Sequence, residues 1–143
     1  MKTTFKLAIL FIFILSAGYI TSAAEKTKKF NQSWPAAGIE TLRISNKFGE
    51  VKFKNDNAST VSITVLVTVE ASSESKATEI INNIDVKINK SGSVVTAETI
   101  FENNFRGNNR FKIDYEINVP ADRNLEVSNK YGNVVVGQLT GKG

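Results

Sequence analysis

The sequence predicts a mainly β protein of repetitive architecture, with one short helix laid over a sheet. Three observations carry this. A twelve-residue stretch occurs twice, Leu42–Phe53 as LRISNKFGEVKF and Leu125–Val136 as LEVSNKYGNVVV, offset by 83 residues without a gap. Several other segments alternate apolar and polar residues with a period of two and are rich in β-branched side chains, the pattern of a half-buried strand. Only one segment has the i, i+3, i+4, i+7 spacing of a helix. A unit used twice in this way points to repeated β structure and not to an active site.

Composition sets the outer limits. The 143 residues suffice for one domain with a real core, and the 41% hydrophobic and 22% charged fractions are those of a globular chain. There is no cysteine and no histidine. A disulfide framework, Cys-ligated zinc and a thiol nucleophile are therefore excluded, along with the commonest general base and transition-metal ligand.

The first element is a leader. Lys2 and Lys6 precede an unbroken apolar run from Leu7 to Leu15, and small residues follow to Ala24. This is the layout of a secretory signal peptide over residues 1–24, cleaved after Ala23 or Ala24. The stretch Leu7 to Ile20 is shorter than the ~20 residues a spanning helix needs, so membrane contact is expected only through the leader before cleavage. Without Lys2 and Lys6 the 18 basic residues fall to 16 against 14 acidic, a net charge of +2. That near-neutral balance carries no nucleic-acid footprint. Residues 25–38 read as a flexible mature N-terminus, with Lys26, Lys28 and Lys29 solvated.

The strands follow in order. Leu42 and Ile44 alternate with Arg43 and Ser45, and Val51 and Phe53 resume the alternation after the turn Asn46-Lys47-Phe48-Gly49. In such a turn Asn bonds its own backbone two residues on, and Gly tolerates positive φ. Phe48 and Tyr131 are expected to pack over the two turns. In Val61–Val69 five residues, Val61, Ile63, Val65, Val67 and Val69, share one face. Ala77, Ile80, Ile81 and Ile84 then give the helical stripe, from about Ser73 to Asn83, with Ser72 or Ser73 as cap and Glu74 in the first turn. Ile84, Val86 and Ile88 form a short strand, joined by the turn Lys90-Ser91-Gly92-Ser93 to Val94–Phe101 as a hairpin. The latter, apolar or Thr on both faces apart from Glu98, suits a central strand. Phe111, Ile113, Tyr115, Ile117 and Val119 mark the inward face of the strand that ends at Pro120. The second copy contributes Leu125, Val127, Asn129, Gly132, Val134 and Val136.

Candidate chemistry is sparse. Asp114 and Glu116 share a strand face but alternate with Lys112, which reads as a solvated charged face. The most distinctive loop is Asn103-Asn104-Phe105-Arg106-Gly107-Asn108-Asn109-Arg110. The amides of Asn103, Asn104, Asn108 and Asn109, with Phe105, Arg106 and Arg110, form a candidate surface-binding loop for a glycan. Plain hairpin chemistry explains the same residues. No catalytic residue, metal ligand or cofactor is expected.

The unit S-N-K-[F/Y]-G-x-V resembles the repeating coil of a large family of exported bacterial proteins known as putative adhesins, most of unknown function. That family has a signal peptide, a long valine-rich strand, a small helix, a strand ending in proline (here Ile113 to Pro120), then coils with N-x-x-G turns. The order matches this chain from about Ile39 onward. The resemblance implies a right-handed β-solenoid or β-helix-like fold with one short amphipathic helix, the alternative being a small β-sandwich. It brings no catalytic residues. In the family the coils recur several times, whereas one copy follows the proline here. The expectation is therefore a truncated member, with residues 39–143 an adhesin-like β domain incomplete at its C-terminus. The expected function is that of a non-enzymatic exported envelope protein, adhesin-like or scaffold, in the periplasm, at the outer surface or outside the cell. A carbohydrate-binding module is the alternative. The partner expected is an envelope protein or a glycan.

Overall fold

The computed structural model describes residues 23–56, 59–103, 105, 110–138 and 140–141. The leader expected over residues 1–24 thus lies almost wholly outside the described residues. The chain is mainly β with one helix. Its strands are β1 (Ala24–Pro35), β2 (Thr41–Asn46), β3 (Val51–Lys54), β4 (Thr60–Ala71), β5 (Ile84–Ser91), β6 (Val94–Phe101), β7 (Arg110–Asn118), β8 (Asn124–Asn129) and β9 (Val134–Val136), with helix α1 (Glu74–Asn82) between β4 and β5. A five-stranded sheet runs β1-β4-β7-β3-β9 and a four-stranded sheet β5-β6-β2-β8. Both contribute to one apolar core, and neither is closed.

Two parts of the sheets follow different rules. β1, β4 and β7 are antiparallel, as are β5 and β6. Beyond them the pairing becomes parallel: β2 lies between β6 and β8, and β3 between β7 and β9. The chain therefore crosses between the sheets three times as a strand–turn–strand unit: β6 to β7, β2 to β3, and β8 to β9. The middle unit is the first sequence copy and the outer one is the second. They pair residue for residue, Leu42 with Leu125, Ile44 with Val127, Asn46 with Asn129, Val51 with Val134 and Phe53 with Val136.

The long strand β4 buries Val61, Ile63, Val65, Val67 and Val69 completely, as its alternation demands. In α1 Ser73 Oγ accepts the Lys76 amide at 3.1 Å, Glu74 sits in the first turn, and Ala77, Ile80 and Ile81 are buried against β1 and β4. Ile84, the last residue of the apolar stripe, opens β5 instead. The β5–β6 hairpin turns at Gly92, whose φ of 58° at the first turn position fits a type II′ turn.

Two expectations are corrected. Residues 25–38 are not a flexible tail: Ala24–Pro35 is a twelve-residue strand paired with β4 along its whole length. Its inward positions hold Lys26 and Lys28 beside Phe30 and Trp34, so no apolar alternation betrays it. The lysines bury their stems and reach polar atoms at the helix, Lys26 Nζ to Thr78 Oγ1 and Lys28 Nζ to the Ile84 carbonyl at 3.3 Å. Nor is the segment after β6 a hairpin loop. It carries the chain from the four-stranded to the five-stranded sheet, because β6 and β7 pair with different neighbours.

Candidate functional site

Every unusual residue of the duplicated unit converges on the turns that join the two sheets. Asn46 is the one buried polar residue among the described residues, 2% exposed. Its Nδ2 donates to the Ile113 carbonyl at 2.8 Å and its Oδ1 accepts from Thr99 Oγ1 at 2.8 Å. Thr99 has one proton, committed to Asn46, so the Tyr115 hydroxyl donates to Thr99 Oγ1 at 2.7 Å. Burial pushes the Tyr115 phenol up to about 12, partly offset by the bond to Thr99. The chain of bonds runs from one sheet to the other through the core.

In the second copy Asn129 Nδ2 donates to the Gly49 carbonyl at 2.8 Å and to the Asn133 carbonyl at 3.1 Å. Each asparagine thus reaches the backbone of the preceding strand–turn–strand unit. Asn46 does not bond its own turn, as turn chemistry predicts; only Asn129 makes such a local contact. Asn129 Oδ1 is buried with no hydrogen-bond partner.

The glycines serve the same stacking. Neither Gly49 nor Gly132 has a positive φ; within the first turn it is Phe48 that does, at 63°. A Cβ on Gly49 would lie 1.9 Å from the Ile113 carbonyl oxygen, and one on Gly132 1.8 Å from that of Gly49. Glycine is required because each turn presses on the backbone of the unit before it. Backbone bonds fix this approach: Ile113 and Tyr115 amides donate to the Phe48 and Glu50 carbonyls, and those of Gly49 and Val51 to Tyr131 and Asn133.

Above the turns lies an aromatic cluster. Phe48 stacks on Tyr131, with centroids 4.9 Å apart and planes 18° from parallel, and meets Phe111 edge-on at 5.1 Å. Phe101 and Phe105 complete it. Tyr131 is 60% and Phe48 37% exposed. Lys130 Nζ lies 5.7 Å from the Tyr131 centroid, within cation–π range.

Of the candidate surface loop, Asn104, Arg106, Asn108 and Asn109 lie outside the described residues. Asn103 donates to Asn83 Oδ1 at 3.1 Å and adopts a φ of 53°. Phe105 is half-buried, with its ring stacked on Phe101, while Arg110 is exposed and 4.0 Å from Glu70. Phe105 and Arg110 therefore face different surroundings: one closes the aromatic cluster and the other projects from the start of β7. The carboxylates on the outer face of β7 are paired with lysines, Glu116 with Lys54 at 2.9 Å and Asp114 with Lys112 at 3.4 Å. Hydrogen bonding to Glu116 raises the Lys54 pKa above its ordinary value.

Sequence reasoning singled out Asn46, Phe48, Gly49, Asn129, Tyr131 and Gly132, and the structure brings all six together. It missed Thr99, Tyr115 and the Ile113 carbonyl, which no local pattern links to the turns.

No family model matches the chain, and no curated protein matches it. Among solved structures the chain is similar to a "putative cell adhesion protein" from Clostridium sporogenes, with 12% identity and a TM-score of 0.47. The match covers 78% of this chain and 51% of that one.

Proposed function

We propose that the protein is a non-enzymatic, exported component of the cell envelope, an adhesin-like or scaffold module built as a solenoid-like stack of strand–turn–strand units. One observation carries the reading: the Asn and Gly that the two copies share hold each copy against the unit beneath it. Asn46 and Asn129 give their amide donors to the neighbouring backbone, and Gly49 and Gly132 give the space for its approach. Asn and Gly spent in this way build a surface, which supports a structural role. The leader pattern of residues 1–24 supports export, and among the described residues no helix is long and apolar enough to cross a membrane. The test is expression of the whole chain with its leader in a bacterium, followed by fractionation and N-terminal sequencing. The expected product starts at Ala24 or Glu25 and is found outside the cytoplasm. A cytoplasmic product retaining Met1 and Lys2 refutes the export part of the proposal.

A second reading, a carbohydrate-binding module, is favoured by the exposure of Tyr131 and Phe48 at the turns. Glycan-array binding that Tyr131→Ala abolishes supports it, and binding indifferent to that change counts against it.

A further inference from the structure

The outer face of the five-stranded sheet carries an open trough of about 610 Å³. Two adjacent rows of paired residues build it. In one, Lys29 of β1, Leu66 of β4 and Asp114 of β7 lie side by side. In the next, Thr64 of β4, Glu116 of β7 and Lys52 of β3 do the same. None of these residues belongs to the outermost strands, β8 and β9. β4, β7 and β3 are each paired on both sides. Their main-chain groups are committed within the sheet, so only side chains are offered to a ligand.

The charges of the trough are of two kinds. Asp114 and Glu116 are held: Asp114 lies 3.4 Å from Lys112 and accepts the Glu50 amide at 2.9 Å, and Glu116 pairs with Lys54 at 2.9 Å. Lys29 and Lys52, by contrast, have neither an ion pair nor a side-chain hydrogen bond among the described residues. They stand on opposite sides of the trough, three strand spacings or about 14 Å apart. Between them the floor is aliphatic. The outward residues Ser62, Thr64 and Thr68 of β4 are hydroxylic, while Leu66 among them is 40% exposed. An occupant must answer cations, carboxylates and this aliphatic surface together. A carboxylate has about four acceptor sites, and Asp114 and Glu116 use only part of theirs, while Glu50 adds another carboxylate to the lining. A simple anion is repelled by these groups and has no use for Leu66. An extended peptide finds no main-chain edge to pair with. A sugar acid answers all three features, with acid groups for the lysines, hydroxyls for the carboxylates and Thr64, and the C–H face of a ring for Leu66.

We propose that this trough is a binding site for an acidic saccharide. Lys29 and Lys52 hold its acid groups, Asp114, Glu116 and Thr64 bond its hydroxyls, and a ring packs on Leu66. The site is separate from the aromatic turns on which the carbohydrate-binding reading rests and does not use Tyr131, so either can fail without the other.

The test probes an array of uronate, sialylated and sulfated oligosaccharides, beside neutral ones, with the protein, and then titrates the strongest binder by calorimetry. The double variant Lys29→Glu/Lys52→Glu is compared with Lys87→Glu/Lys90→Glu, which makes the same change of charge on β5 of the other sheet. All four lysines are exposed, so neither change disturbs the core. The expected result is binding to acidic members alone, at least about tenfold weaker in the trough variant and within about twofold of the parent in the β5 variant. Tyr131→Ala leaves the affinity unchanged. Absence of binding to every acidic member, equal binding of neutral and acidic ones, or equal losses in the two double variants overturns the proposal. So does binding that Tyr131→Ala abolishes, which places the ligand at the turns.

Discussion

Replacing Asn46 by alanine should cost far more than the same change at Asn129, although the two residues hold matching positions in matching sequences. Asn46 makes two side-chain hydrogen bonds, to the Ile113 carbonyl and from Thr99 Oγ1, each 2.8 Å long and inside the core. Its removal forfeits both bonds, at about 1 kcal/mol each. It also strands the Ile113 carbonyl's side-chain contact and the Thr99 proton in an apolar setting, at roughly 1–2 kcal/mol more. The total is about 3 kcal/mol. Asn129 also donates twice, but its residue is half-buried at the last unit, where water can replace the amide, and its buried Oδ1 has no partner to lose. Asn129→Ala should therefore cost about 1 kcal/mol or less. Urea unfolding followed by the fluorescence of Trp34, the single tryptophan, measures both. If the two variants lose equal stability, or Asn46→Ala loses less than about 1 kcal/mol, the assignment of the buried network as the lock between the sheets is wrong.

Two further outcomes follow from the same geometry. Gly132→Ala should destabilise by about 1–3 kcal/mol, and Gly49→Ala by the upper end of that range or more, because Gly49 is held between units on both sides while the outer unit can lift away; the same urea series checks the order. Tyr115 gives a pH signature: its phenol stays protonated up to about 12 in the folded protein, while the unfolded chain ionises near 10. Between those values only the unfolded state has released the proton, so stability present below pH ~10 is lost as pH rises, by about 1.4 kcal/mol per unit. Tyr115→Phe removes this contribution, and equal alkaline slopes for the two proteins would show that the phenol is not held neutral by burial.

Much of this fold is written in local pattern. The alternation of Val61–Val69 and Phe111–Val119, the stripe of α1 and the β5–β6 hairpin all follow from periodicity, because each buries one face of a simple element. The first strand is not legible in that way. Its inward positions are filled by lysines whose stems pack and whose ammonium groups exit beside α1, so its residues look like a tail until β4 is placed next to them. The destination of the segment after β6 was equally hidden. Chain direction in a sheet depends on which strands lie beside it, and β6 and β7 take β2 and β3, more than fifty residues earlier, as parallel neighbours. At the turns the residue types were legible but their purpose was not. Turn chemistry assigns Asn and Gly to local backbone needs, and here both face the preceding unit.

The β6–β7 unit is the layer on which the first copy rests. It crosses between the sheets like the other two and pairs with β2 and β3 in the same parallel sense. Its far sides are covered by β5 and β4, both antiparallel. Its connection carries Phe105 into the aromatic cluster. It offers the Ile113 carbonyl to Asn46 and the close approach to Gly49, while its Ile113 and Tyr115 amides donate to the Phe48 and Glu50 carbonyls. In both copies the Asn and Gly of the motif face the unit beneath, the first against β7 and the second against the first copy. The residue-for-residue pairing of the two copies shows that they are not a duplication retained at two independent sites. They are consecutive layers of one stack, and the 69-residue segment from Asn55 to Arg123 that separates them in sequence builds the floor on which the first layer rests.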